Sequence, residues 1–156
     1  MTMDASSLLA AVTALEQGVR AREKADRPAV TAPAASLGRL MRSLRNDPRF
    51  AFDMLCAHTA VDWPGANRIE LFYYLYSTTQ RQHLLMCADV SRETPEIETV
   101  SSVWRIAEWQ EREVYDMFGV LYRGHPDLRR VLLSDDWKGF PLRKDYRDDF
   151  MLERPA

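Results

Sequence analysis

Cysteine is scarce in this 156-residue chain, which holds only Cys56 and Cys87, far apart and without a Cys-x-x-Cys pair. A metal or iron–sulfur site needs about three or four soft or imidazole ligands at close spacing. His58, His83 and His125 supply no second imidazole at ligand spacing. The cysteines sit in apolar surroundings, Met54-Leu55-Cys56-Ala57 and Leu85-Met86-Cys87-Ala88, so both are expected to be buried free thiols. Glycine is also sparse, and no P-loop, dinucleotide fingerprint or Gly-x-Ser-x-Gly elbow is present. With a net charge of -2 the chain has no basic field to hold nucleic acid or an anionic lipid surface. The longest apolar stretches, Leu71 to Tyr76 and Leu84 to Ala88, fall far below the roughly 20 residues of a membrane-spanning helix. Met1 to Ala10 carries no Lys or Arg and no cleavage pattern, so no secretory or transit signal is read and a cytoplasmic location is expected.

What is present suits one folded domain, with 46% hydrophobic and 28% charged residues. Asp4 or Ser6 is placed to cap a first helix, whose apolar positions Leu8, Val12, Leu15 and Val19 recur at helical steps before a Glu/Lys/Arg-rich end. Pro28 and Pro33 bracket Ala29-Val30-Thr31, which suits a short edge strand or an extended linker. Ser36 reads as the cap of a second helix with Leu37, Leu40, Met41 and Leu44 inward, stopped at Asn46-Asp47-Pro48. Phe50 to Ala60 is partly strand-like and ends at the Asp62-Trp63-Pro64-Gly65 turn. Arg68 to Ser77 and Gln82 to Asp89 read as a hairpin, being dense in aromatic and apolar residues on either side of a polar connection.

Pro95 and Glu96 are expected to open a third helix running to Phe118, with Val100, Val103, Trp104, Ala107, Val114 and Met117 on its 3.6-residue period and Gly119 as its end. Beyond it come turns at Gly124-His125-Pro126 and Lys138-Gly139-Phe140-Pro141, and only Leu128 to Leu133 is apolar enough for a short regular element. The fold class expected is α+β, with helices packed on a small mixed β-sheet and followed by an extended C-terminal docking arm. The division expected is a compact domain over residues 1–119 and an interface arm over 120–156.

Carboxylates close together on that helix raise the question of acid–base chemistry. Glu108, Arg112 and Asp116 stand four apart in turn, the spacing of a charge ladder along a helix side. Glu111 falls within the apolar stripe and must be paired if buried, with Arg129 or Arg130 as its natural partner. His125 adjoins a proline turn and is weighed as a brace or an interface contact ahead of a catalytic group. Arg123 to Tyr146 mixes both signs of charge with Trp137, Phe140 and Tyr146, the composition of a protein interface.

The run Glu111-Arg112-Glu113-Val114-Tyr115-Asp116-Met117-Phe118-Gly119-Val120, then Gly124-His125-Pro126-Asp127-Leu128-Arg129-Arg130, resembles the signature of the 30 kDa subunit family, the C-subunit, of respiratory complex I. Leu132-Leu133-Ser134-Asp135-Asp136-Trp137 and Pro141-Leu142-Arg143-Lys144-Asp145-Tyr146 continue it, and Ser36 to Tyr76 is similar more loosely. The resemblance implies a non-catalytic peripheral-arm subunit of a proton-translocating NADH:quinone oxidoreductase. Flavin, iron–sulfur clusters and quinone are then expected on partner subunits, and no cofactor, metal or catalytic residue is expected here. It implies docking onto the large quinone-site D-subunit and neighbouring iron–sulfur subunits, on the cytoplasmic side of the cell inner membrane. Glu111, Arg112, Glu113, Asp116, His125, Pro126, Asp127, Arg129 and Arg130 would fix the helix-to-arm corner, with Trp137, Arg143, Lys144 and Tyr146 as interface anchors. Many family members have a longer C-terminal extension beyond the Arg-Lys-Asp-Tyr element. The alternatives are a homologous subunit of a membrane-bound nickel–iron hydrogenase or of a ferredoxin- or F420-dependent dehydrogenase. From another class comes a freestanding acid–base enzyme using Glu111, Glu113 and His125.

Overall fold

The structure, a computed structural model, describes residues 3–149. In chain order it contains helix α1 (Ala5–Thr13), strands β1 (Arg20–Ala21) and β2 (Ala29–Ala32), helix α2 (Leu37–Asn46), strands β3 (Met54–Trp63), β4 (Arg68–Ser77), β5 (Gln82–Ser91) and β6 (Glu96–Glu98), helix α3 (Ala107–Phe118) and strand β7 (Leu121–Arg123). Five strands form one sheet in the order β1-β2-β5-β4-β3, in which only β2 and β5 run parallel. Strands β6 and β7 form a separate parallel pair. This is the mixed α+β architecture expected, with three helices on a mixed sheet.

Strand β4 shows why the sheet forms. Ile69, Leu71, Tyr73 and Leu75 alternate along it and are fully buried, while Phe72, Tyr74 and Tyr76 point to the opposite, half-buried face. Leu84, Met86, Ala88 and Val90 of β5 continue the same core. Leu8 and Val12 of α1 and Leu37, Leu40, Met41 and Leu44 of α2 close over it. Burying side chains of this size is worth about 1.5–3 kcal/mol each, which is what holds helices this short in place.

Several elements differ from the expectations drawn from sequence, each for a local reason. Asp4 caps α1 by accepting from the Ser7 amide at 2.9 Å, but the helix stops at Thr13, and Val19 reaches the core from the turn that leads through Gly18 into β1. Ala29–Ala32 is an inner strand because β1 pairs outside it and β5 inside. Ser36 closes a 3-10 turn, and its hydroxyl donates to the Pro33 carbonyl at 3.2 Å without capping α2. Cys56 is exposed, since the β3–β4 register shifts between Leu55 and Ala57 and leaves it on the bulge. Cys87 is buried.

The largest departure lies before α3. Pro95 and Glu96 do not open a helix: Glu96–Glu98 pairs with β7, and α3 begins only at Ala107. Val100, Val103 and Trp104 are buried with helical spacing, yet they belong to one turn in which the amides of Val103 and Trp104 both donate to the Val100 carbonyl. Leu128 to Leu133 forms no regular element, whereas Leu121–Arg123 does.

Candidate functional site: the corner between helix α3 and the tail

Helix α3 ends at Gly119, whose φ of +77° and amide bond to the Tyr115 carbonyl make a left-handed C-cap. A Cβ here would stand 2.5 Å from the Phe140 ring, so glycine serves both the turn and the close approach of the tail. The guanidinium groups of Arg130 and Arg143 stand 5.3 and 5.1 Å from the Phe140 centroid. Arg143 donates to the Phe118 carbonyl at 2.7 Å and the Leu142 amide to that of Met117 at 3.1 Å. The tail thereby satisfies carbonyls that the end of α3 leaves open and sets a cation at the negative end of its dipole.

Asp116 is fully buried and gathers the next stretch of the tail. Its Oδ1 accepts from Arg130 Nη1 at 2.7 Å, and its Oδ2 accepts the amides of Val131, Leu132 and Leu133 at 3.0, 2.7 and 3.0 Å. Burial pushes its pKa upward, but the Arg130 guanidinium and the three amides outweigh this and hold the carboxyl below the usual carboxylate range. Arg130 also donates to the carbonyls of Trp137 and Gly139 at 3.1 and 3.0 Å. Arg112, itself buried, donates to the carbonyls of Arg129 and Arg130 at 3.1 Å each and lies over the Trp109 ring. The charge ladder expected along Glu108, Arg112 and Asp116 is replaced by these contacts, because both inner members turn toward tail backbone groups that need partners.

Glu111 is also fully buried, and its partner is neither Arg129 nor Arg130. Arg129 pairs with Asp127 at 2.9 Å, and Arg130 is committed to Asp116. Glu111 instead accepts from the Val100 amide at 2.7 Å and meets the Thr99 hydroxyl at 2.5 Å. His125 Nε2 is 3.9 Å from Glu111 Oε2 but donates to the Glu108 carbonyl at 3.0 Å, while its Nδ1 accepts from the Asp127 amide at 3.0 Å. Those two bonds orient the ring, with Nε2 as the donor and Nδ1 as the acceptor. Without a cation beside it, Glu111 is raised to about 7, chiefly by burial, with the Thr99 and Val100 bonds opposing and the Glu108 charge adding to the rise.

A second clip joins the tail to the far end of the sheet. Asp62, buried at the end of β3, accepts from Arg92 at 2.7 and 3.1 Å and from the Lys144 amide at 2.8 Å, and Arg92 also pairs with Asp145. Burial raises the Asp62 carboxyl, yet Arg92 and the Lys144 amide prevail and keep it low. Inside the core, His58 stacks on Tyr73 at 4.0 Å, and its ring nitrogens meet the Phe72 carbonyl at 2.9 Å and the Tyr122 hydroxyl at 2.6 Å. Burial lowers its pKa to about 4.

The fold thus brings Glu111, Arg112, Asp116, His125, Arg129 and Arg130 to one corner and sets Arg143 and the Lys144 amide alongside it. Glu113, Pro126 and Asp127 are exposed. Trp137 and Tyr146 line a shallow open cleft with Ser134, Asp136 and Lys138. Glu111 and Glu113 do not converge, since one is enclosed and the other faces solvent, and both His125 nitrogens are occupied. Sequence reasoning missed Thr99, the Asp62–Arg92 pair and the His58–Tyr122 pair; the signal present for Asp62 is an acidic residue between Val61 and Trp63 in a strand. Among the described residues no three His, Cys, Asp or Glu gather at metal-binding distance, and no helix is long and apolar enough to cross a membrane. Trp109 on α3 and Leu132, Trp137 and Leu142 on the tail are exposed by 38–63%, as are Ile106 just before α3 and Leu121 of β7.

The sequence model of the family described as respiratory-chain NADH dehydrogenase, 30 kDa subunit, matches residues 30–149. The NADH-quinone oxidoreductase C-subunit of Moorella thermoacetica is 41% identical over 126 residues, covering 81% of this chain and 84% of that protein. The C-subunit of Salinispora tropica is 46% identical over 105 residues, 66% of this chain but 43% of its own length, so this chain spans less than half of that longer relative. The NADH-quinone oxidoreductase C/D-subunit of Phocaeicola vulgatus is 43% identical over 115 residues, 73% of this chain and 22% of its own length. Among solved structures, the trypsin-resistant fragment of Nqo5 superposes with a TM-score of 0.67 at 26% identity, covering 81% of this chain and all of that fragment.

Proposed function

The chain belongs to the family of the 30 kDa subunit of respiratory-chain NADH dehydrogenase, the C-subunit of NADH-quinone oxidoreductase, and from that premise we propose that its corner and tail form a docking surface that seats the quinone-site subunit. On this reading it carries no reacting group and supports electron transfer from NADH to quinone by holding its neighbours in register. Flavin, iron–sulfur clusters and quinone sit on those neighbours, and the chain lies peripherally on the cytoplasmic side of the inner membrane. The boundary expected at residue 119 moves outward, because Val120 and Tyr122 are buried in the core and Leu121–Arg123 pairs with β6; on this reading the interface arm begins after Arg123, and residues 150–156 lie outside the described residues.

The observation that carries this reading is the pairing of internal and external chemistry at one place. Buried charges fix the backbone of the tail, while Trp109 on α3 and Leu132, Trp137 and Leu142 on the tail remain open to solvent. Aromatic and apolar anchors on a rigid base are the composition of an interface hot spot. The fused C/D relative supports the choice of partner, because one polypeptide there joins the counterparts that would dock here.

Purification of the full chain from gently solubilised membranes tests the proposal. Recovery with quinone-site and iron–sulfur subunits and with NADH:quinone activity is the outcome expected. Recovery of the chain alone from membranes and cytosol removes the docking role.

A further inference from the structure

The Glu111 site has a property that docking does not require. Thr99 has one hydroxyl hydrogen and two oxygen neighbours within bonding reach, Glu111 Oε2 at 2.5 Å and Ser101 Oγ at 2.8 Å, and the Ser101 amide donates to Thr99 Oγ1 at 3.1 Å. One hydrogen cannot serve both neighbours, so the direction of the chain depends on the carboxyl. When Glu111 is ionised, Thr99 donates to it and Ser101 donates to Thr99. When Glu111 is protonated, its own O–H donates to Thr99, and Thr99 turns to donate to Ser101. Every hydrogen is placed in both states, and the Val100 amide serves Oε1 in either. Ser101 is half-buried whereas Glu111 is fully enclosed, so the chain runs outward from the carboxyl.

The groups facing Glu111 leave the choice of state open. From α3, Glu108 adds negative charge and Arg112 directs its guanidinium to the tail carbonyls. His125, after β7, turns its Nε2–H to the Glu108 carbonyl and takes the Asp127 amide at Nδ1, so neither ring nitrogen is bonded to Glu111. On the β6–β7 side Glu96 pairs with Arg123 at 3.3 Å and Glu98 with Arg42 at 3.0 Å. From the sheet, Tyr73 and Tyr122 present buried phenols that both feel the Glu111 charge; the Tyr122 hydroxyl meets His58, and the Tyr73 hydroxyl has no partner among the described residues. Among the described residues no cation pins the carboxyl to its ionised form.

We propose that Glu111, Thr99 and Ser101 form a buried proton site in which a reversing pair of hydroxyl groups carries the protonation state of Glu111 to the surface at Ser101. The proton moves between the Glu111 carboxyl and solvent, and nothing else is gained or lost. Because Thr99 and Val100 begin the connection from β6 to α3, the site couples the bonding of that connection to pH.

NMR of the uniformly 13C,15N-labelled full chain tests this by following the Glu111 side-chain carboxyl carbon and the Val100 and Ser101 amides through a titration from about pH 4 to about pH 9. The Glu111 midpoint is expected roughly two pH units above the ordinary glutamate value, with both amides following the same midpoint. Glu111→Gln should abolish that shared transition, and Thr99→Val should leave Glu111 titrating while uncoupling Ser101 from it. A Glu111 midpoint at the ordinary glutamate value overturns the proposal in the unsubstituted protein, with no variant needed. So does a Ser101 amide that still follows Glu111 in Thr99→Val.

Discussion

At the scale of single residues, the two buried carboxylates of α3 sit five positions apart and work in opposite senses. Asp116 is held low by Arg130 and three amides, so its contribution to stability is present above the unfolded pKa and is lost as pH falls through the folded value. Glu111 is raised from 4.5 to about 7, so the folded state holds a proton that the unfolded state releases, and stability declines as pH rises across that window. The decline amounts to roughly 3 kcal/mol, at 1.36 kcal/mol per unit. Glu111→Gln should therefore flatten the fall in urea-measured stability between about pH 4.5 and pH 7, and an unchanged slope would assign the fall to other groups. Asp116→Ala strands the Arg130 guanidinium and three tail amides and should cost about 3–5 kcal/mol in the same assay at neutral pH. A loss below about 1 kcal/mol would place the corner's stability elsewhere.

At the scale of elements, the corner depends on a glycine that belongs to α3 and to the tail at once. Gly119→Ala imposes a left-handed φ on a residue with a Cβ, at about 1 kcal/mol, and drives that Cβ into Phe140. The expected result is faster proteolysis of the tail within residues 129–145, with the β4–β5 hairpin still protected; equal cleavage rates would show that Phe140 is not held by Gly119. The hairpin and α2 were legible in the sequence because each buries one periodic face, Ile69-Leu71-Tyr73-Leu75 at a period of two and Leu37-Leu40-Met41-Leu44 at 3.6. The start of α3 was not, since Val100, Val103 and Trp104 occupy helical positions within a single turn while Glu96–Glu98 is claimed by β7, a strand 25 positions onward. Spacing within a segment carries no information about a distant strand. The same limit hid the partners of Glu111: its burial followed from the stripe, but choosing Thr99 and Val100 required the turn that the spacing disguised.

At the scale of the whole molecule, the tail is tied to the body at α3 and at Asp62 while its large apolar side chains face outward. Trp137 is 38% exposed and rests on a tail fixed by other residues. Trp137→Ala should leave the melting temperature of the free chain within a few degrees and weaken co-purification of partner subunits, at about 2 kcal/mol or more of binding. A large drop in melting temperature would instead make Trp137 part of the core. The Asp62 clip has another consequence, in time. It joins residues 82 positions apart, so the bond to the Lys144 amide closes a loop of more than half the chain. Such a closure costs entropy that only an already assembled sheet offsets, and it comes late in folding. Asp62→Asn should therefore speed unfolding and leave the refolding limb of the chevron nearly unchanged. On this order of events the body is complete before its tail is fastened, and each newly made chain passes through an interval in which the tail, with its outward Trp137 and Leu142, is untied and available to a partner.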